Sequence, residues 1–123
     1  MKICIPSKSN DGYGAKIYDH FGSSPFLAIH NHKDQSLFFI DNHAHHHIHG
    51  TCQAIGQIKP LGIKVVLCSG MGVRAVGQLN QNGIKAFCTD GDISTVREAI
   101  DQYYLNSMEE VIYDNACLDH FRL

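Results

Sequence analysis

The sequence predicts a mixed α/β fold with the element order β-β-β-α-β-α-β-α. Three observations lead there. The chain opens on a short apolar run, residues 2–6, of the kind that fills a strand buried on both faces. The first third then offers two strand-like runs split by a polar turn, which reads as an antiparallel hairpin. From residue 51 onward, helical periodicity alternates with compact apolar runs, and such strand–helix units require crossovers and parallel strands. With 123 residues, 44% hydrophobic and 18% charged, the chain fits one packed domain.

Residues 7–14 (Ser-Lys-Ser-Asn-Asp-Gly-Tyr-Gly) are turn-rich, and Asp19-His20-Phe21-Gly22-Ser23-Ser24-Pro25 makes a second break. Residues 26–30 form the second strand, 31–35 the turn and 36–40 the third strand. Thr51 is a suitable N-cap for a helix over 52–61, whose Ala54, Ile55, Ile58 and Leu61 share one face. Gly62 closes it, and residues 63–68 are the most strand-like run in the chain. A second helix spans 73–81 and ends at Asn82-Gly83. The fifth strand covers 84–89. The third helix covers 93–104, with Ser94 or Asp92 as cap and Val96, Ile100 and Tyr104 at helical spacing. The domain then spans residues 1–106, and residues 107–123 form a C-terminal tail.

Charge and cysteine usage exclude several classes. The net charge is −2 with neutral histidines, so nothing points to nucleic acid or an anionic membrane as partner. The N-terminus reads as a strand rather than a signal peptide, and no apolar run approaches the ~18 residues of a spanning helix. The expected location is the cytoplasm. Five widely spaced cysteines (Cys4, Cys52, Cys68, Cys88 and Cys117) argue against a disulfide framework and for reduced thiols. Cys4, Cys68 and Cys88 read as small core residues, although Cys68, beside a glycine turn, could face a site. His30 and His32, flanking the hairpin turn, read as solvated.

One stretch stands out chemically: His43-Ala44-His45-His46-His47-Ile48-His49-Gly50-Thr51-Cys52. It holds five of the nine histidines. Neutral imidazole and thiolate together suit zinc, copper, iron and metal–sulfur clusters. Extended, His43, His45, His47 and His49 share one face; helical, His45, His49 and Cys52 stack. The stretch also runs into a helix N-terminus, where free N–H groups favour anions and lower a thiol pKa, here that of Cys52. The competing reading is a solvated loop that picks up nickel or zinc adventitiously.

Two weaker motifs remain. Cys117-Leu118-Asp119-His120 has the spacing of half a zinc site; the competing reading is an apolar tail. Gly70-Met71-Gly72-Val73-Arg74-Ala75 fits a dinucleotide fingerprint, with Asp90 twenty residues on. It lacks a second half, so an anion site at Ser69, Gly70 and Gly72, or simply a tight turn, is the better reading. No Ser/His/Asp or Cys/His catalytic set can be assembled from spacing, and the first strand carries no acid for a catalytic metal pair.

In sequence order, several pieces carry a resemblance: Lys2-Ile3-Cys4-Ile5-Pro6, then His20-Phe21-Gly22-Ser23-Ser24-Pro25-Phe26, then His49-Gly50, then Val65-Val66-Leu67-Cys68-Ser69-Gly70-Met71-Gly72, then Gly83-Ile84-Lys85-Ala86-Phe87. Over about residues 1–105 the chain resembles the dinitrogenase iron–molybdenum cofactor biosynthesis family. That resemblance implies a ribonuclease-H-like fold of five strands and three helices. It implies a non-enzymatic role: holding or carrying an iron–sulfur or molybdenum–iron–sulfur cluster, or a precursor, between cluster donor and acceptor proteins. It puts the ligands in residues 43–52, with His46 among them, and adds His20 by its matching motif. Five histidines in the loop exceed what the family leads one to expect, and the tail lies outside the resemblance. The alternatives are a mononuclear Zn, Ni or Cu protein using the same loop with Cys117 and His120, and a small nucleotide-binding regulatory module using Gly70 and Gly72.

Overall fold

Strand β1 (Lys2–Ser7) lies inside the sheet because its run Ile3-Cys4-Ile5 has apolar side chains for both faces, and all three are fully buried. The computed structural model describes residues 1–42, 50–69, 73–89, 93–105 and 109–111. Around β1 are β2 (Phe26–Asn31), β3 (Ser36–Asp41), β4 (Val65–Cys68), β5 (Lys85–Cys88) and β6 (Glu109–Val111), in the order β3-β2-β1-β4-β5-β6. β1 pairs antiparallel with β2, and β2 with β3, while β1, β4 and β5 run parallel. β1 therefore joins an antiparallel meander to a parallel half.

The five expected strands all form. The sixth, β6, pairs antiparallel with β5 through Ala86↔Val111 and Cys88↔Glu109. Three residues of the segment read from sequence as tail are thus part of the sheet. A three-residue acidic run has too little apolar pattern to announce a strand; its order comes from the open edge of β5.

Helices α1 (Gly50–Ile58) and α2 (Val73–Gln81) pack on one face of the sheet, and α3 (Val96–Tyr104) on the other. The α1/α2 side buries Ala54, Ile55, Ile58, Val76 and Leu79 against Cys4, Ile29, Val66, Cys68 and Ala86. The α3 side buries Val96, Ala99 and Ile100 against Ile3, Ile5, Ala28, Val65 and Leu67.

Helix boundaries differ from expectation in two places, each for a local reason. The chain is already helical at Gly50, so Thr51 lies within α1 and does not cap it. At the far end Pro60 removes a donor, and the last turn tightens into a 3-10 turn, Lys59–Leu61, closed by left-handed Gly62 (φ 77°). α3 starts at Val96, not Ile93. Its cap is Thr95, whose hydroxyl accepts from the Glu98 N–H at 3.2 Å while Glu98 Oε1 accepts from the Thr95 N–H at 3.1 Å. The Ser94 N–H and hydroxyl also donate to Glu98, and these bonds hold its carboxyl below the usual range. Thr95→Ala should lower the unfolding free energy by about 0.5–2 kcal/mol, read from urea denaturation. An unchanged midpoint would mean that packing alone sets this helix start.

Candidate functional site

Because β1, β4 and β5 are parallel, they end on one edge of the sheet, and β3 ends there too. The chain changes direction across the sheet between β1 and β4. Such a point opens a crevice outside the strand carboxyl ends, where ligands of α/β folds collect. The expected site residues fall on this edge or outside the described residues.

His20 is exposed in the turn that follows residues 15–18. That turn is built from its apolar and hydroxyl residues. Phe21, 2% exposed, plugs into the α1/α2-side core. Buried Ser24 donates to Ser7 O at 3.0 Å and also to Phe26 O, tying the turn to the end of β1.

Asn42 completes the arrangement. It is 2% exposed and directly precedes the histidine run. Its amide donates to Gly22 O at 3.3 Å and Ser24 O at 2.9 Å, and its Oδ1 accepts from Gln57 of α1 at 2.6 Å. Its backbone N–H reaches Pro25 O at 2.8 Å. One buried side chain therefore pins the root of the histidine run to both the His20 turn and α1. Nothing in the sequence marked Asn42, because its partners lie 15 to 20 residues away.

His43, His45, His46, His47 and His49 lie outside the described residues, as do Gly70, Gly72, Cys117 and His120. Cys52 is in the first turn of α1. Ser69 is exposed just beyond β4 and donates to Asp19 Oδ1 at 3.3 Å. Among the described residues no group of three or more His, Cys, Asp or Glu is close enough to hold a metal ion.

The other cysteines sort by burial. Cys4 and Cys68 are fully buried on the α1/α2 side. Burial, and after it the neighbouring Cys68, pushes the Cys4 thiol far above its usual range, so it stays protonated and is no thiolate ligand. Cys88 is paired in register with Cys68 but is only half-buried, and its thiol approaches Ser69 O and Thr89 O at 3.7 Å each. It is less deeply held than a core cysteine should be.

His30 contradicts its sequence reading outright. It is fully buried on the α3 side, where its Nδ1 meets the Tyr13 hydroxyl at 3.0 Å and its Nε2 meets His32 Nδ1 at 3.2 Å. Gln35 Nε2 lies 3.3 Å from the same His32 nitrogen and can only donate, so His32 Nδ1 accepts. His30 then carries its proton on Nε2 and accepts from Tyr13. His32 is half-buried and stacks on Tyr104 with ring centroids 3.8 Å apart. Period-two alternation could have found this, since Ala28 and His30 share a face.

A cavity of about 300 Å³ opens at the same carboxyl edge, toward the α3 side. Lys8, Lys16, Asp19, Ser69, Thr89 and Ser94 line it, with Ile17 and Ile93 as apolar walls. The lysines are neighbours because Lys8 N–H donates to Lys16 O at 2.8 Å. Sequence reading saw only Ser69 of this group; lysines in a turn-rich loop carry no distinguishing signal.

Among the described residues no helix is long and apolar enough to cross a membrane. Residues 1–106 match the profile of a family described as dinitrogenase iron-molybdenum cofactor. No curated protein matches the sequence. Among solved structures, the chain is similar to the apo form of the orange protein from Desulfovibrio gigas (TM-score 0.81, 19% identity, 89% of this chain and 92% of that one). It is also similar to a NifB-like protein from Thermotoga (0.75, 24%, 89% and 91%). A third likeness is to a dinitrogenase-like protein from Methanocaldococcus jannaschii (0.67, 14%, 90% and 94%). At these identities the three structures speak for the fold.

Proposed function

Since the chain belongs to the dinitrogenase iron–molybdenum cofactor family, we propose that it is a non-catalytic carrier or scaffold for an iron–sulfur or molybdenum–iron–sulfur cluster, or its precursor. It takes this cargo from a donor protein and passes it to an acceptor. The ligands are the histidines of residues 43–49 with Cys52, and His20 joins them from the neighbouring turn. The observation that carries this reading is the Asn42 clamp, which ties the start of the histidine run to the His20 turn and to α1. The first turn of α1 adds N–H groups and a positive dipole end, which favour an anionic cluster over a bare cation. The meander joined through β1 to parallel strands supports the ribonuclease-H-like description of the fold.

Exchange is built into such a site. Imidazole ligands bind only when neutral, so cluster affinity should fall as the pH drops below about 6.5. Anaerobic reconstitution with iron, sulfide and molybdate, followed by visible spectra and elemental analysis, tests the reading. The expected result is a stoichiometric cluster in the wild-type chain and none in the protein with His45, His47, His49 and Cys52 all changed to Ala. Stoichiometric zinc without sulfide, or full loading of the fourfold variant, would overturn it.

A further inference from the structure

Cys68 ends β4 and Cys88 ends β5, and the two stand directly opposite each other in the parallel register. They also share a face. Cys68 belongs with Val66 to the α1/α2-side core, and Cys88 is two residues on from Ala86 of the same core. The ladder holds at this level, since the Thr89 N–H donates to Cys68 O at 2.9 Å. Hydrogen-bonded strands lie about 4.8 Å apart, which puts the Cα atoms of an opposed pair within the ~4.4–6.8 Å that a disulfide spans. Both cysteines are thiols in this structure.

Cys4 lies on the same side but cannot replace either of them. It faces Val66 across β1 and β4, so Cys68 is two residues further along, at roughly 8 Å by strand geometry. Cys88 is two strands away from it, at roughly 9 Å or more. Cα atoms more than ~7 Å apart are not bridged without moving the backbone. Access differs as well. Cys68 is fully buried, whereas Cys88 is half-buried and its Sγ lies 3.7 Å from Ser69 O, the carbonyl just past the end of β4. The outer thiol therefore already leans toward the strand that holds the inner one.

The geometry points to a reversible redox pair, in which hydrogen peroxide oxidises Cys88 and Cys68 resolves the product as a Cys68–Cys88 disulfide. The Cys88 sulfur attacks the peroxide, the O–O bond breaks, and a sulfenic acid forms with release of one water. The Cys68 sulfur then attacks that sulfenic acid. The S–O bond breaks, and the departing hydroxide takes the Cys68 proton and leaves as a second water. The two thiols together lose two electrons and two protons, and one peroxide is reduced to two waters. The new bond staples the carboxyl ends of β4 and β5, on the edge that carries the candidate site, and a dithiol reductant reopens it. Neither sulfur belongs to the histidine and Cys52 set, so the pair does not depend on the proposed cargo.

The test uses the full-length, metal-free, reduced chain. Hydrogen peroxide is added in equimolar amount, the remaining thiols are alkylated in denaturant, and tryptic peptides are weighed. The expected product joins peptides 65–74 and 86–97, whose only cysteines are Cys68 and Cys88, and dithiothreitol should separate them. Cys4, Cys52 and Cys117 should be recovered alkylated. In Cys68→Ala the sulfenic acid at Cys88 should persist and be trapped by dimedone. In Cys88→Ser, a small change at a half-buried position, peroxide should consume the Cys68 thiol about tenfold more slowly than in the wild type, because the exposed entry point is gone. If Cys68→Ala does not fold, the wild-type cross-link and Cys88→Ser decide between them. A Cys88 that stays alkylable, that links instead to Cys4, Cys52 or Cys117, or that proceeds to sulfinic acid without a cross-link would overturn the pairing.

Discussion

Phe21→Ala should lower the unfolding free energy by about 3–5 kcal/mol, the cost of emptying a buried aromatic site. Phe21 is 2% exposed and belongs to the α1/α2-side core with Leu27, Ile29 and Ile55. Small domains hold only ~5–15 kcal/mol in total, so the variant should be close to unfolding at ambient temperature. The side chain also holds the turn whose Gly22 and Ser24 carbonyls receive Asn42. Loss of Phe21 should therefore loosen the root of the histidine run and reduce cluster loading along with stability. His20→Ala, at the exposed neighbouring position, should change stability by less than about 0.5 kcal/mol. Urea denaturation of both variants decides the point; equal, small losses would mean that Phe21 is not the anchor.

The second large effect concerns His30. Burial first, then the nearby His32 and Arg97, lower its pKa below the ordinary value, so the folded chain holds it neutral. Asp34 acts in the opposite sense, as does a backbone hydrogen bond with Ser36, but neither outweighs burial. In the unfolded chain the same histidine titrates near pH 6.5. Between the two values the unfolded state binds more protons, so stability rises with pH there. The contribution is complete above about pH 6.5 and is lost as the pH falls toward the folded-state value. His30→Ala at pH 7.5 should cost about 1–3 kcal/mol, because it strips a partner from the Tyr13 hydroxyl and from His32. His30→Gln should flatten the slope of stability between pH 5.5 and 7.5, measured by urea unfolding at several pH values. A slope identical to wild type would assign the pH dependence to other histidines.

The parts of the fold that were readable from sequence are those decided within a few residues. β4 announced itself because Val65, Val66, Leu67 and Cys68 are buried on both faces. α2 was readable to its exact bounds between the Ser69 turn and Asn82-Gly83, since Gly83 takes the left-handed φ of 75° that ends it. The start of α3 was harder, because Ser94 and Thr95 are both good caps and only the reach of Glu98 chooses between them. β6 had no local signal, and His30 had only its alternation with Ala28 along β2. Each takes its place from partners far along the chain: the open edge of β5 in one case, Tyr13 and α3 in the other. The candidate site divides the same way. Its histidines are conspicuous as composition, whereas Asn42 and the lysine cavity exist only once the turn, β1 and α1 have come together.

The placement of β6 gives the chain's last described residues a protective task. Without them β5 would present a row of unpaired backbone groups, beside its half-buried Phe87, to any passing strand. β6 covers that row by pairing antiparallel with β5 through Ala86↔Val111, Phe87↔Glu110 and Cys88↔Glu109, and its short length leaves little edge of its own. The region shared with the family ends at residue 106, three residues before this strand begins. The strand that closes the β5 edge thus lies just beyond residues 1–106, the part of the chain matched to the family.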